Sequence, residues 1–186
     1  MLKSNQEIQQ AVELLNNGEV IAYPTEAVWG LGCDPFSRAA VEHILTIKNR
    51  EQDKGLILVA SNIKQVEELL VNITSSQLLK LQQSWPGPTT WLIEDPNNFI
   101  PQWIKGAHST VAVRVSAHPT VKALCEAFGG LLVSTSANPS SLLPAVSQHQ
   151  AQAYFKASVA LYVKGSLGSS KEPSKIISLE DNVIHR

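Results

Sequence analysis

The sequence has little of what marks several common functional classes. It contains only two cysteines, Cys33 and Cys125, and neither lies in a CxxC or Cys-His spacing. We therefore predict that both are buried thiols rather than metal or redox ligands. No apolar run approaches the roughly 20 residues that a membrane-spanning helix needs. Because the N-terminal residues also lead straight into an amphipathic pattern, we predict a soluble cytoplasmic protein with no membrane contact.

An excess of positive charge is also missing. Fifteen Lys and Arg residues stand against sixteen Asp and Glu residues, which gives a net charge of −1. A general nucleic-acid-binding surface therefore has no compositional support, and any cationic site must be local. The 186 residues, of which 44% are hydrophobic, can bury one sizeable core, and we predict a single domain over residues 1–186.

Familiar catalytic signatures are absent as well. The sequence has no GxxxxGK[ST] phosphate loop, no HExxH metal motif and no serine in a GxSxG turn. We interpret the five histidines as structural or surface residues, because none has catalytic or metal-binding spacing. No metal site is predicted from protein side chains.

Apolar periodicity and turn residues predict alternating helices and strands. Helices are predicted over 5–17, 37–48, 63–70, 77–83, 119–128 and 147–155. Strands are predicted over 20–23, 56–59, 89–93, 111–115, 131–134, 160–163 and 176–179, and 30–35 is interpreted as a turn-prone segment. Because several strands follow one another without a helix, we predict an α/β domain with a mixed parallel and antiparallel sheet.

The uncharged stretch 131–138 changes from apolar residues to hydroxyls and an amide. Ser134, Ser136 and Asn138 alternate after Leu131–Val133, so in an extended conformation they point the same way. They would offer neutral hydrogen-bonding groups to one ligand at the carboxyl end of a strand. An ordinary polar turn is the alternative, because Ser and Asn often satisfy their own backbone in loops.

Three cations lie within seven residues after the second predicted helix. Lys48, Arg50 and Lys54 can fold around one anion, and a guanidinium binds phosphate or carboxylate in a bidentate way. The alternative is a solvated charged loop, since Glu51 and Asp53 could pair with these cations.

Arg114 is an unusual residue in a valine-rich predicted strand. The valines at 111, 113 and 115 share one face, and Arg114 shares the other with Ala112 and Ser116. If that face is covered, Arg114 needs an anionic partner, whereas an exposed edge strand would explain it equally well. The residues by themselves thus indicate an anion-binding α/β domain, suited to reactions such as nucleotidyl transfer that depend on positioning and charge neutralisation.

Five motifs, taken together and in order, resemble the YrdC-like family over nearly the whole chain. They are Tyr23–Pro35, Lys48-x-Arg50-x-x-x-Lys54, Trp85–Thr89, Val111–Val115 and Ser134–Asn138. The resemblance implies a twisted α/β sheet around a positively charged concave cavity. It also implies synthesis of threonylcarbamoyl-adenylate and pyrophosphate from ATP, L-threonine and bicarbonate, with bound Mg²⁺ sharing the charge neutralisation. The implied partners are the downstream machinery that transfers the threonylcarbamoyl group to tRNA adenosine next to the anticodon.

The resemblance also implies roles for individual residues. The phosphate-binding and catalytic cations are Lys48, Arg50 and Lys54. Further ATP contacts are Thr110, Ser136, Asn138 and Arg186. The threonine-binding residues are Thr25, Arg114, Ser134 and Ser174. No general base is evident. An RNA-binding module that uses the same basic cavity is the alternative function, and weak tRNA contact is compatible with either.

The sequence departs from the family pattern in three places. Residues 48–54, which carry the three cations, are called the cation loop. Glu51 and Gly55 stand where prolines are common, which predicts a looser and less positive cation loop. Lys175 and Ile176 follow Ser174 in place of the usual threonine and acidic residue. Because the sequence ends at Arg186, we expect no additional C-terminal domain of the kind that longer relatives have.

Overall fold

The computed structural model describes residues 2–170 and 172–186, and within them eight strands form one sheet with helices on both faces. The strands are β1 (Ile21–Pro24), β2 (Trp29–Gly32), β3 (Ile57–Ala60), β4 (Thr89–Glu94), β5 (Thr110–Val115), β6 (Leu132–Ser136), β7 (Leu161–Tyr162) and β8 (Lys175–Ser178). The α-helices are α1 (Leu2–Asn16), α2 (Arg38–Lys48), α3 (Ser75–Ser84), α4 (Gln102–Lys105), α5 (Pro119–Phe128) and α6 (Gln148–Phe155). Short 3₁₀ segments cover Gln52–Lys54, Ile63–Leu69 and Lys156–Ser158.

The strand order is β7-β1-β2-β6-β3-β5-β4-β8. The pairs β1–β7, β3–β5 and β4–β8 are parallel, and the other four neighbouring pairs are antiparallel. The prediction of an α/β fold with a mixed sheet is confirmed. Since β5 lies between β3 and β4, Arg114 is on an interior strand, and the exposed-edge alternative for this residue is wrong.

Strand β2 was not predicted, because its glycines were interpreted as turn residues. A Cβ on Gly32 would lie 2.6 Å from the carbonyl oxygen of Val133 and 2.7 Å from the ring of Tyr23. Without that Cβ, the Tyr23 hydroxyl donates a 3.1 Å hydrogen bond to the Val133 carbonyl. Glycine here permits close packing within a sheet rather than a turn.

Helices cover only part of the face on which the cavity lies. Helices α1 and α5 pack together there and share a core with Val59 and Leu132, which are register partners on β3 and β6. Ile57 lies two residues before Val59 on the same face of β3. It is paired with Ser134 on one side and Ala112 on the other, and all three residues line a cavity. The larger core lies on the opposite face of the sheet and includes buried residues of α2, α3 and α6. The cavity therefore lies where the cover of α1 and α5 ends.

Local sequence patterns predicted some of the helical segments correctly and others not. Ser37 caps α2 as predicted, with its side chain accepting a hydrogen bond from the amide of Ala40. The segment predicted as a helix over 63–70 is a 3₁₀ helix, and α4 was not predicted because it has only four residues. Among the described residues, no helix has the length and apolar character to cross a membrane.

Candidate functional site

A cavity of about 550 Å³ is lined by residues from most of the predicted motifs. This volume is typical of small-molecule sites. Nine of the eleven predicted site residues line it: Thr25, Arg50, Lys54, Thr110, Arg114, Ser134, Ser136, Ser174 and Arg186. The structure does not place Lys48 or Asn138 among the lining residues.

The cation loop begins where α2 ends. Asn49 adopts a left-handed conformation with φ 49°, which turns the chain out of the helix and places Arg50 at the cavity. The Arg50 guanidinium donates a 2.9 Å hydrogen bond from Nη2 to the carbonyl oxygen of Gly55. Lys54 pairs at 3.1 Å with Glu51, and both side chains are more than half exposed. Such an exposed pair is weak, so Lys54 remains free to contact an anion.

Gly55 is closely packed, although glycine in place of proline predicts a looser loop. Gly55 has φ 61°, and a Cβ there would lie 2.9 Å from the carbonyl oxygen of Lys105. Gly106 has φ 67°, and a Cβ there would lie 2.5 Å from the carbonyl oxygen of Asp53. The amides of Leu56 and Ala107 also bond across the two segments. The two glycines therefore allow the segments to interlock, which fixes the cation loop.

Lys48 does not line the cavity but contacts the backbone at the end of β6. Its ammonium group donates hydrogen bonds to the carbonyl oxygens of Ser136 and Asn138, the latter at 2.7 Å. Ser136 in turn donates from its hydroxyl to Asn138 Oδ1 at 2.6 Å. Burial, together with the charge of Arg50, lowers the pKa of Lys48 from 10.5 to about 8. Lys48 thus ties the hydroxyl-bearing end of β6 to the start of the cation loop.

Arg114 is covered and has the anionic partner that a covered position requires. Its residue is 7% exposed, and its Nη1 atom lies 3.0 Å from Oε2 of Glu26. Ser134, also 7% exposed, comes from β6 on the far side of β3. Thr25 follows β1 directly, and its hydroxyl donates at 2.7 Å to the carbonyl oxygen of Val28. Interior strands therefore bring Arg114 and Ser134 to the same cavity.

The C-terminal segment completes the lining. Arg186 donates from Nε and Nη2 to the carbonyl oxygen of Ser174, at 3.3 and 3.2 Å. The Ser174 hydroxyl lies 2.8 Å from that of Thr90. Burial, followed by the charge of Arg186, lowers the pKa of Arg50, and burial, followed by the charge of Arg114, lowers that of Arg186. A bound anion would relieve this repulsion.

Several lining residues were missed at the sequence level. Glu26 was seen only as a neighbour of Thr25, although a carboxylate beside a predicted ligand residue was a usable signal. His108 and His185 also line the cavity, and their spacing gave no indication of it. In the part of the chain that the structure describes, no three His, Cys, Asp or Glu side chains are grouped so that they could hold a metal ion.

Comparison with known sequences gives a consistent set of relatives. The Sua5/YciO/YrdC family model, described as telomere recombination, matches residues 13–186. A protein of Marinobacter nauticus named threonylcarbamoyl-AMP synthase is 51% identical over 162 residues, which are 87% of this chain and 85% of that one. A protein of Saccharophagus degradans with the same name is 51% identical over 179 residues, or 96% and 93% of the two chains.

A solved structure shares the fold. The crystal structure of P. abyssi Sua5 complexed with L-threonine superposes with a TM-score of 0.91 at 29% identity. The alignment covers 98% of this chain and 54% of the P. abyssi chain. The present chain therefore spans about half the length of that Sua5 protein.

Proposed function

Because the chain belongs to the Sua5/YciO/YrdC family, we propose that it makes threonylcarbamoyl-AMP and pyrophosphate from ATP, L-threonine and bicarbonate. The observation that carries the proposal is the name threonylcarbamoyl-AMP synthase on relatives that are about half identical over most of the chain. The structure of P. abyssi Sua5 complexed with L-threonine supports the choice of amino acid. The cavity is compatible with this reaction, because it combines a cation loop with a second, charge-paired arginine.

The proposal assigns two groups of residues to the two main substrates. Arg50 and Lys54 bind the ATP phosphates, Arg186 adds a third cation, and Thr110 and Ser136 contact the nucleotide. The amino acid is bound by four residues, of which Arg114 pairs with its carboxylate. These four are Thr25, Arg114, Ser134 and Ser174. Lys48 and Asn138 act indirectly in this scheme, by holding the end of β6 in place.

The chemistry follows from these positions. The threonine amine adds to carbon dioxide derived from bicarbonate and loses a proton, which gives a carbamate. A carbamate oxygen then attacks the α-phosphorus of ATP, and pyrophosphate leaves with the electron pair of the broken P–O bond. The cations neutralise negative charge that grows on the leaving group, and substrate positioning supplies much of the remaining rate enhancement.

Magnesium is proposed to enter as part of the substrate, on the phosphates of MgATP. Of the cavity carboxylates, Glu26 is already paired with Arg114, and Glu172 lies in an exposed segment. The described residues thus offer a poor resident metal site, whereas ATP phosphates carry magnesium readily.

The product is proposed to feed tRNA modification in the cytoplasm, through a separate threonylcarbamoyl-transfer machinery. An RNA-binding module is not favoured as the main function, since the named relatives are synthases. We expect any RNA binding to be weak and salt-sensitive, because few phosphates would be neutralised. Tight RNA binding at physiological salt without adenylate formation would reverse this ranking.

Substrate omission tests the function directly. Purified protein with MgATP, L-threonine and bicarbonate is expected to release pyrophosphate and to form a product with the mass of threonylcarbamoyl-AMP. Omitting any one substrate should abolish both signals. Pyrophosphate release that does not depend on threonine would remove the assigned substrate.

A further inference from the structure

Glu26 carries a carboxylate into a cavity otherwise dominated by cations. Its Oε2 atom lies 3.0 Å from Arg114 Nη1, and its Oε1 atom accepts a 2.6 Å hydrogen bond from the hydroxyl of Ser116. The side chains of Arg114 and Glu26 are only 9% and 13% exposed. Oε2 and Nη1 are close enough for an ion pair but are not aligned as a hydrogen bond. Their interaction is therefore largely electrostatic, and the orientation of the carboxylate is set by Ser116.

The main chain around Glu26 is held as firmly as its side chain. The carbonyl oxygen of Glu26 accepts from the amide of Ser170 at 3.2 Å, and that of Thr25 accepts from the amide of Gly168 at 3.0 Å. A Cβ on Gly168 would lie 2.9 Å from both Cα and the carbonyl oxygen of Glu26. Ser116 is itself fixed, because its hydroxyl oxygen accepts from the amide of His118 at 3.1 Å. Glu26 is thus a preorganised anchor rather than a mobile surface carboxylate.

Arg114 has competing electrostatic partners if Glu26 does not hold it. The charge of Arg114 contributes to the lowered pKa of Arg186, and that of Arg186 to the lowered pKa of Arg50, so the three guanidinium groups interact. An arginine without a fixed partner in such a cluster would turn toward the strongest available anion. In the proposed reaction, that anion is the ATP triphosphate.

We propose that Glu26 is a positioning residue that reserves Arg114 for the carboxylate of the amino-acid substrate and keeps it from the phosphates. This inference rests on the proposed function, and it assigns Glu26 no contact with the reacting atoms. Removing its charge has two opposite electrostatic consequences. Arg114 loses its fixed orientation for the amino acid, and the cavity gains net positive charge, which favours ATP.

Steady-state kinetics of Glu26→Gln tests the proposal. The KM for threonine is expected to rise about tenfold or more, because the charge-assisted contact between Arg114 and the substrate carboxylate would be weakened. The KM for ATP should stay constant or fall. Ser116→Ala keeps the carboxylate charge but removes its orienting donor, so it should raise the KM for threonine by a smaller factor and leave the KM for ATP unchanged. Glu42→Gln is the matched control, because Glu42 pairs at 2.8 Å with Arg38 on the surface, and neither KM should change.

A merely structural role for Glu26 predicts a different result. Loss of the Glu26 charge should lower the melting temperature under either role, because it leaves Arg114 without its counter-charge. A merely structural role would lower only the active fraction, so kcat would fall while both KM values stayed at wild-type levels. That outcome, or a parallel rise in both KM values, would overturn the proposal. Failure of the proposed function is distinguishable from either, because the wild-type protein would then release no pyrophosphate in a threonine-dependent way.

Discussion

Two arginines of the cavity are held in different ways, Arg114 on what we call the strand side and Arg50 on what we call the loop side. Arg114 comes from an interior strand, is nearly covered and is paired with a carboxylate. Arg50 comes from a loop and is held by a hydrogen bond to the backbone carbonyl of Gly55. A buried charge that loses its partner destabilises the fold, whereas a half-buried loop cation that is hydrogen-bonded to a carbonyl can be removed at a smaller cost in stability. Stability and activity should therefore be coupled on the strand side and separable on the loop side.

Arg50→Ala is expected to separate activity from stability most clearly. By analogy with the loss of one preorganised transition-state donor, turnover should fall roughly 10²–10³-fold, or about 3–4 kcal/mol. The melting temperature should stay near wild type, and Arg50→Lys should rescue only partly because lysine lacks the bidentate fork. The measurements are pyrophosphate release and thermal unfolding. Arg38→Ala, which removes an exposed arginine of α2, is the matched control. If Arg50→Ala turned over at a near wild-type rate, the ATP phosphates would have to be bound mainly by other residues.

Arg114→Ala is expected to lower both stability and activity. It leaves the Glu26 carboxylate nearly buried without its counter-charge, which should cost about 3 kcal/mol in the free energy of unfolding measured with denaturant. The double variant Arg114→Met, Glu26→Gln removes both charges and should recover part of that loss without restoring turnover. If Arg114→Ala unfolded like wild type, the contrast between the two sides would be wrong.

Gly106→Ala tests whether interlocking glycines, rather than side-chain contacts, fix the cation loop. The new methyl group would lie 2.5 Å from the carbonyl oxygen of Asp53 and 2.6 Å from the amide nitrogen of Gly55. We expect a loss of about 2 kcal/mol in the free energy of unfolding. The KM for ATP should rise by a larger factor, relative to wild type, than the KM for threonine. Gly129→Ala is the control, because Gly129 also has positive φ but a Cβ there would have no neighbour within 4 Å. Equal losses in the two variants would show that backbone strain alone explains the effect.

Lys48, which joins the two sides, is expected to contribute to stability in a way that depends on pH. Its pKa is lowered to about 8 from 10.5, so between these pH values the unfolded chain binds a proton that the folded chain lacks. The contribution of Lys48 to stability should therefore rise as the pH increases from about 8 to 10.5. The measurement is the difference in unfolding free energy between wild type and Lys48→Met across this range, which should widen in favour of wild type. A constant difference would mean that Lys48 titrates at its ordinary pKa.

Helix and strand positions were largely predictable, because their signals are local. The Ser37 cap and the Pro119–Phe128 helix depend on a few neighbouring residues, and both were predicted. Strand β2 was missed because the packing that explains Gly32 involves Tyr23 and Val133, and Val133 is distant in sequence. The close packing at Gly55 was not predictable for the same reason, since the segment that packs against it lies around residue 105.

The sequence by itself determined the mixed α/β class, the family and the residue types available for binding an anion and an amino acid. It did so because periodicity, caps and ordered motifs are properties of neighbouring residues. Only the tertiary structure decided which of those residues share a cavity. It paired Arg114 with Glu26, which is 88 residues away in the printed sequence, and it turned Lys48 toward the carbonyl oxygens of Ser136 and Asn138. Burial and charge pairing depend on strand order, and strand order is decided by contacts between segments that lie far apart in the chain.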